Sequence, residues 1–156
     1  MFKKISRFIL ALFFLAVGPT YAAIYSFQEI TNNSPINVAT QLTVDVEFVG
    51  GFVQFTFENS GPLASSITDI YFDNSLAFLG APLTIVGNSG AGVDFGTGAA
   101  PPNLPSGNTV GFTTTAGFTA DSNSPTAPNG INPGEWLTLQ TALGAGQTFA
   151  SVTQAL

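Results

Sequence analysis

The sequence predicts an all-β protein that folds as a single antiparallel β-sandwich, of the Ig-like or jelly-roll-like kind. Three observations favour this class. Short segments with alternating apolar and polar residues recur along the chain, clusters of Gly, Pro, Asn and Ser separate them, and no segment sustains an apolar period of 3.6 residues.

Residues 1–22 have the layout of a secretory signal peptide. Its three basic residues lie at the start, and they are Lys3, Lys4 and Arg7. The apolar segment that follows, residues 8–17 (FILALFFLAV), is shorter than the roughly 20 residues that a membrane span needs. No later segment is apolar and long enough to cross a membrane either.

Small residues before position 23 place the expected signal-peptidase cleavage between Ala22 and Ala23. We therefore expect export through a Sec-type pathway, to the periplasm, the cell surface or the extracellular space. Residues 23–156 are expected to form one β-sandwich domain.

Removal of the leader changes the charge of the protein. Residues 23–156 contain no Lys, Arg, His or Cys and keep all nine carboxylates, so the side-chain charge becomes −9 in place of −6. Without Lys, Arg or His, this part of the chain lacks the residues for nucleic-acid binding, for P-loop and Schiff-base chemistry, and for His-based catalytic triads. Zinc sites built from His or Cys are excluded as well, and the fold depends on its core rather than on disulfides.

A hairpin is the clearest local structure. Residues 42–49 (LTVDVEFV) and 53–58 (VQFTFE) alternate apolar and polar on either side of Gly50-Gly51, a pair that supplies the positive φ angles of a two-residue turn. The predicted register pairs Phe48 with Val53, Val46 with Phe55 and Val44 with Phe57 on one face. The other face pairs Glu47 with Gln54, Asp45 with Thr56 and Thr43 with Glu58. A slip by one residue would spoil both faces.

The remaining elements are shorter. Strands are predicted over residues 25–30, 66–73, 83–86, 110–115 and 135–139, because each is β-prone and bounded by turn residues. Residues 88–108 and 121–134 are predicted as long loops, which in small domains often carry the functional surface. Residues 147–155 (QTFASVTQA) fit one short C-terminal helix.

Carboxylates are the remaining acid–base groups, so pairs of them are the candidate catalytic sites. Asp69 and Asp73 are four residues apart on a strand, roughly 13 Å, which is too far for a glycosidase pair or for one shared cation. Asp45 and Glu47 are two residues apart on one face, about 7 Å, within the range of inverting glycosidases. A carboxylate-only polysaccharide hydrolase using this pair is therefore an alternative function, although the solvated face of a hairpin is the favoured interpretation.

Calcium is the second alternative, as part of a calcium-stabilised adhesion module. Oxygen ligands could come from Asp73-Asn74, from Asp94 and from residues 121–124 (DSNS), but this segment lacks the glycine and the terminal glutamate of a calcium loop. Asp and Asn at turns most often bond their own backbone. Ser89 in "GNSGAG" has no His to activate it, and "DFG" at residues 94–96 lacks the kinase lysine. We therefore assign no catalytic, cofactor-binding or metal residues.

The aromatic residues divide into two groups. Phe48, Phe55, Phe57 and Phe72 fall at inward positions and are predicted to be core. The pattern does not show which side of the sheet the other four occupy, namely Phe52, Phe112, Phe118 and Trp136. They could form a stacking surface for carbohydrate. For Trp136 the favoured interpretation is a core residue at the start of a strand.

Three stretches, "FTFENSGPLASSITDIYFDN", "PPNLPSGNTVGFTTTAGFTADSNSPTAPNGINPGEWLTL" and "GQTFASV", carry a resemblance to the PEP-CTERM sorting-domain proteins of exopolysaccharide-producing Gram-negative bacteria. The resemblance implies a secreted β-rich domain without catalytic residues, associated with biofilm and surface polymers. It also implies a domain truncated at its C-terminus and an incomplete final sheet, because the group continues beyond "SVTQAL" into further strands and a sorting tail. We expect an exported, non-catalytic β-sandwich of the extracellular matrix or cell surface, whose partners are exopolysaccharide or matrix proteins.

Overall fold

The computed structural model describes residues 22–31, 34–80, 82–90 and 92–156. Apart from Ala22, the predicted signal peptide lies outside the described residues. The strands are β1 (Ala22–Ser26), β2 (Leu42–Val49), β3 (Phe52–Asn59), β4 (Asp69–Tyr71), β5 (Thr84–Asn88), β6 (Phe95–Thr97), β7 (Thr119–Ser122) and β8 (Glu135–Ala142). The α-helices are α1 (Thr126–Asn129) and α2 (Phe149–Ala155), and short 3-10 helices span Ala39–Gln41 and Gly107–Val110.

The strands form two antiparallel sheets. The larger has five strands in the order β1-β2-β3-β8-β5, and the smaller has three in the order β4-β7-β6. Apolar residues from the inner faces of both sheets build one core. The prediction of an all-β, sandwich-like fold with a short C-terminal helix is confirmed.

The β2–β3 hairpin has the predicted register. Val46 lies opposite Phe55 and Asp45 opposite Thr56, and the other four predicted pairs are present too. Gly50 and Gly51 have φ angles of 60° and 91°, as the turn requires. β3 then pairs with β8, so the apolar rows of the hairpin continue into Leu137 and Leu139.

Aromatic packing joins the two sheets. The rings of Phe55 on β3 and Phe72 after β4 meet edge to face with centroids 4.9 Å apart, and Phe57 meets Phe72 at 6.1 Å. Such pairs contribute about 0.5–1.5 kcal/mol beyond the area they bury. Phe55 and Phe57 are buried, and Phe48 and Phe72 pack against the core, as predicted.

Several predicted boundaries are wrong. The strand expected at residues 110–115 is absent; a 3-10 helix ends there instead, flanked by Ser106 and Gly111 in the left-handed region, where an extended strand cannot continue. β6 and part of β7 lie in the segments predicted as loops. β4 is shorter than expected, while β8 extends three residues further, to Ala142.

A buried polar network holds the turn at "ENSGP". Gln41 and Asn59 are 4% and 0% exposed. The Gln41 amide Nε2 donates to Asn59 Oδ1 at 2.8 Å and to the Leu63 carbonyl, while Asn59 Nδ2 donates to the Ile131 carbonyl. These bonds tie the end of β3 to the segment before β4, since Ile131 also forms an isolated bridge with Ile67, two residues before that strand.

Helix α2 closes one end of the core. Thr148 Oγ1 accepts from Ser151 N at 3.2 Å and Thr148 N donates to Ser151 Oγ at 3.0 Å, which forms a capping box. Val152 is buried, and the Phe149 ring packs on Phe48 at 5.9 Å. Within the described residues, no helix is long and apolar enough to span a membrane.

Candidate functional site

The outward face of the five-stranded sheet carries a regular set of polar side chains. Successive side chains of a strand point to opposite faces of the sheet, so the residues of β2, β3 and β8 that do not face the core face outward. We call it the polar face, and it comprises Thr43, Asp45, Glu47, Gln54, Thr56, Glu58, Trp136, Thr138 and Gln140. These side chains stand in cross-strand rows.

Two of the rows are tied by hydrogen bonds. Gln54 Nε2 donates to Gln140 Oε1 at 2.8 Å, and the hydroxyls of Thr56 and Thr138 are 2.9 Å apart. Each bond holds its side chains in a fixed position. The carbonyl oxygen of Gln54 and the amide nitrogen of Gln140 keep capacity for further hydrogen bonds. The face therefore presents donors and acceptors in a preorganised array.

Trp136 stands on this face, so its prediction as a core residue is wrong. Its side chain is 38% exposed, whereas Leu137, the next residue, is fully buried. The ring lies beside Gly87, where a Cβ atom would come within 3.2 Å of it. Trp136 N donates to Ser89 Oγ at 3.2 Å, and Ser89 N donates to the Trp136 carbonyl at 3.0 Å. Ser89 therefore serves to hold the backbone beneath this aromatic residue.

A second exposed aromatic lies at the other end of the polar face. Phe52 is 42% exposed and pairs with Ala142, six residues along β8 from Trp136. At about 3.3 Å per residue the two positions are roughly 20 Å apart. The rows of amides and hydroxyls lie between them.

Asp45 and Glu47 also belong to the polar face. Asp45 lies between Ile24 and Thr56, and Glu47 between Ala22 and Gln54. Asp45 Oδ1 is buried and has no hydrogen-bond partner among the described residues. The pair lies on the flat side of a sheet, and neither of the two cavities described below includes it. The geometry offers no enclosed site between the two carboxylates.

The candidate calcium ligands form hydrogen bonds with neighbouring groups of the chain. Both carboxylate oxygens of Asp73 accept backbone hydrogen bonds, Oδ2 from Thr113 N and Oδ1 from Ser75 N, each at 3.0 Å. These bonds, that from Thr113 above all, hold the pKa of Asp73 below its usual value. Asn74 is bonded to Leu79 through both amide atoms.

Asp94 pairs with Asn123 instead, whose Nδ2 donates to Asp94 Oδ1 at 2.9 Å. In the part of the chain that the structure describes, no group of three or more acidic, Cys or His side chains could hold a metal ion. The structure thus places Asp94 beside Asn123 of the segment 121–124, and no cluster of three acidic side chains forms there among the described residues.

The smaller sheet contains a carboxylate pair that sequence reasoning missed. Asp69 on β4 lies directly opposite Asp121 on β7. Thr68 Oγ1 donates to Asp69 Oδ2 at 2.8 Å, and Tyr71 Oη donates to Asp69 Oδ1 at 3.4 Å. Burial, followed by the charge of Asp69, raises the pKa of Tyr71 to about 12. Strand pairing was the missing information, because β7 was not predicted.

An apolar groove opens on the other side of the molecule, between the edges of the two sheets. It has a volume of about 520 Å³, and its floor includes Phe55, Phe57 and Phe72. Its rim carries the exposed side chains of Leu76, Val110 and Leu156. A smaller cavity beside Phe48 and Phe149 lies between β1 and α2.

Comparison of the chain with protein-family models, with curated proteins and with solved structures found no match. The fold and the geometry of these surfaces therefore carry the functional argument.

Proposed function

We propose that the protein is an exported, non-catalytic β-sandwich that binds polysaccharide in the extracellular matrix or at the cell surface, through the polar face. The observation that carries the proposal is the placement of Trp136. An exposed indole ring lies at the end of hydrogen-bonded rows of amides and hydroxyls on the outward face of the five-stranded sheet. Sugar rings have apolar faces that stack on aromatic rings and hydroxyls that bond amides.

The charge of the polar face selects the class of polysaccharide. Asp45, Glu47 and Glu58 lie on it, and residues 23–156 supply no Lys or Arg to neutralise them. An anionic polymer would be repelled by this surface. The proposed ligand is therefore a neutral, linear polysaccharide lying along β3 and β8, between Trp136 and Phe52.

Sequence features support the location. The predicted leader directs export, and the resemblance to PEP-CTERM proteins of Gram-negative bacteria associates the chain with exopolysaccharide and biofilm. Isolation of the protein from the producing cells tests this part. Recovery outside the cytoplasm with Ala23 at the N-terminus is the expected result, and a cytoplasmic chain that keeps its leader would contradict it.

Affinity electrophoresis through gels containing a neutral β-glucan or galactomannan tests the binding proposal. We expect migration of residues 23–156 to be retarded by a neutral polymer and not by alginate. The Trp136→Ala variant should bind about ten-fold more weakly, which corresponds to about 1.4 kcal/mol. Val110→Ala is the matched control, because Val110 is also exposed but lines the apolar groove. Equal retardation of both variants and the parent chain would contradict the proposal.

A further inference from the structure

Strand β4 forms an edge of the smaller sheet, and its free side borders the apolar groove. Within the described residues β4 pairs with β7 alone, and Tyr71, Phe72 and Asp73 line the groove. An uncovered edge next to an apolar surface is the arrangement into which an additional strand fits.

The hydrogen bonds of β4 show which backbone groups face outward. Ser122 N donates to the Thr68 carbonyl and Phe72 N donates to the Phe118 carbonyl, so the even-numbered residues face β7. In an antiparallel pair the N–H and C=O groups of the intervening residues point away from the partner strand. The backbone groups of Ile67 point away from β7 in this way: Ile67 N donates to the Ile131 carbonyl, and Ile131 N donates to the Ile67 carbonyl. The N–H and C=O groups of Asp69 and Tyr71 continue that row, and among the described residues they have no strand partner.

The groove lies beneath this free edge because the two sheets differ in width. The larger sheet has five strands and the smaller only three, so the inner sides of β1 and β2 extend beyond β4. Helix α2 packs on Phe48 of β2, whereas Val44 of β2 and Phe57 of β3 line the groove. Alternate side chains of an added strand would occupy this space. They must be apolar, like the groove itself.

The remaining side chains of an added strand would face outward, beside Asp69. There the cross-strand neighbour of Asp69 is Asp121, and Asp73 lies at the rim. Opposed like charges are unfavourable, and a cation beside them relieves the repulsion. Residues 23–156 of a second copy carry no Lys or Arg and could not supply that cation.

We propose that the edge of β4 and the apolar groove bind an extended segment of another protein, one that alternates apolar residues with Lys or Arg. The segment adds a fourth strand to the smaller sheet. Its main-chain groups bond Asp69 and Tyr71, its apolar side chains enter the groove, and its basic side chains approach Asp69 and Asp121.

The test uses the fluorescein-labelled heptapeptide KVKVKVK and fluorescence anisotropy at about 150 mM NaCl, where non-specific attraction between exposed charges is screened. The control peptide KKKKVVV has the same composition without alternation, and EVEVEVE has the alternation with the opposite charge. We expect KVKVKVK to bind at least about ten-fold more tightly than either control. Equal binding of KKKKVVV would overturn the proposal, because net charge would then explain the affinity.

Variants at the rim locate the binding site. Leu76 and Val110 are 70% and 56% exposed, so the double variant Leu76→Lys/Val110→Lys should fold normally and repel the basic peptide. Its affinity for KVKVKVK should fall about ten-fold or more. Val86→Lys is the matched control, since Val86 is 47% exposed and lies on β5. Equal losses in both variants would overturn the proposal.

A backbone variant separates strand addition from simple apolar contact. Tyr71→Pro removes an N–H group that faces the free edge and leaves the bonds of Ile70 and Phe72 to β7 in place. It should abolish peptide binding, and Tyr71→Phe should keep it. Sedimentation of the protein without peptide tests whether a second copy of the chain occupies the groove instead. A dimer that the double lysine variant abolishes would show that it does, and would overturn the proposal.

Discussion

Asp69 and Asp121 face each other directly across strands β4 and β7. Thr68 and Tyr71, on the same strand segment as Asp69, donate hydrogen bonds to its carboxylate, whereas none to the Asp121 carboxylate is seen in the described part of the chain. Repulsion between the carboxylates therefore acts on the smaller sheet, and the absence of basic residues from positions 23–156 leaves it uncompensated.

Replacing Asp121 by Asn should stabilise the protein. It removes one of two opposed charges and leaves the bonds of Asp69 in place, so we expect the free energy of unfolding to rise by about 0.5 kcal/mol. Added NaCl should stabilise the parent chain more than the variant. Urea denaturation at low and high salt measures both effects. Glu47→Gln is the control, because Glu47 faces the uncharged residues Gln54 and Ala22 and its replacement should raise the free energy of unfolding by less. An Asp121→Asn variant that is less stable than the parent chain would contradict the repulsion between Asp69 and Asp121.

The phenol of Tyr71 should ionise at a higher pH than an unperturbed tyrosine. Its pKa is raised from 10.0 to about 12 by burial and by Asp69. The folded state then holds a proton that the unfolded state loses above pH 10, so the associated stability is present below that pH and is lost as the pH rises towards 12. Absorbance titration of the phenolates measures the pKa directly. In Tyr71→Phe the late phase should disappear, and a parent chain without such a phase would show that the pKa is not raised.

Asn59 should be among the polar residues to which stability is most sensitive. It is fully buried and links Gln41, Ser65 and the Ile131 carbonyl. The Asn59→Ala variant leaves Gln41 and the carbonyl without this partner, which should cost about 3 kcal/mol. Thermal and urea unfolding measure the loss. Asn108→Ala, at an exposed position in the 3-10 helix, is the matched control and should unfold as the parent does; similar stabilities for the two variants would contradict the role of the network.

The hydrolase alternative and our non-catalytic proposal predict opposite results in an assay of polysaccharide hydrolysis. Our proposal of a non-catalytic face predicts no release of reducing ends from neutral polysaccharides by residues 23–156. It also predicts that Asp45→Asn and Glu47→Gln leave this result unchanged. Turnover by the parent chain that both substitutions abolish would establish the pair as catalytic and overturn the non-catalytic proposal.

The hairpin could be predicted because its information is local. Eight paired positions share one alternation, and Gly50-Gly51 fixes the turn, so a single register satisfies both faces. The start of β8 followed from its β-prone residues and the turn residues before it, but the side of Trp136 did not. Trp136 and Leu137 are adjacent apolar residues, and the alternation alone does not say which of them faces inward.

The strand over residues 66–73 was predicted and contains β4, but its partners in the smaller sheet were not predicted. β6 has three residues and β7 has four, which gives too few positions for a period of two to be recognised. Their pairing depends on contacts between residues far apart in sequence, such as Asp69 with Asp121 and Phe95 with Ser122. The Asp69–Asp121 pair and the groove follow from this sheet, so neither was visible in the sequence.

The central claim is that the polar face binds a neutral polysaccharide against Trp136. The chain contains one tryptophan, so indole fluorescence reports this position alone. Quenching by acrylamide, measured during titration with a neutral polysaccharide that retards the protein in gels, tests the claim most directly. We predict that quenching falls as the polymer saturates the face and that alginate leaves it unchanged; unchanged quenching under saturating neutral polymer would contradict the account.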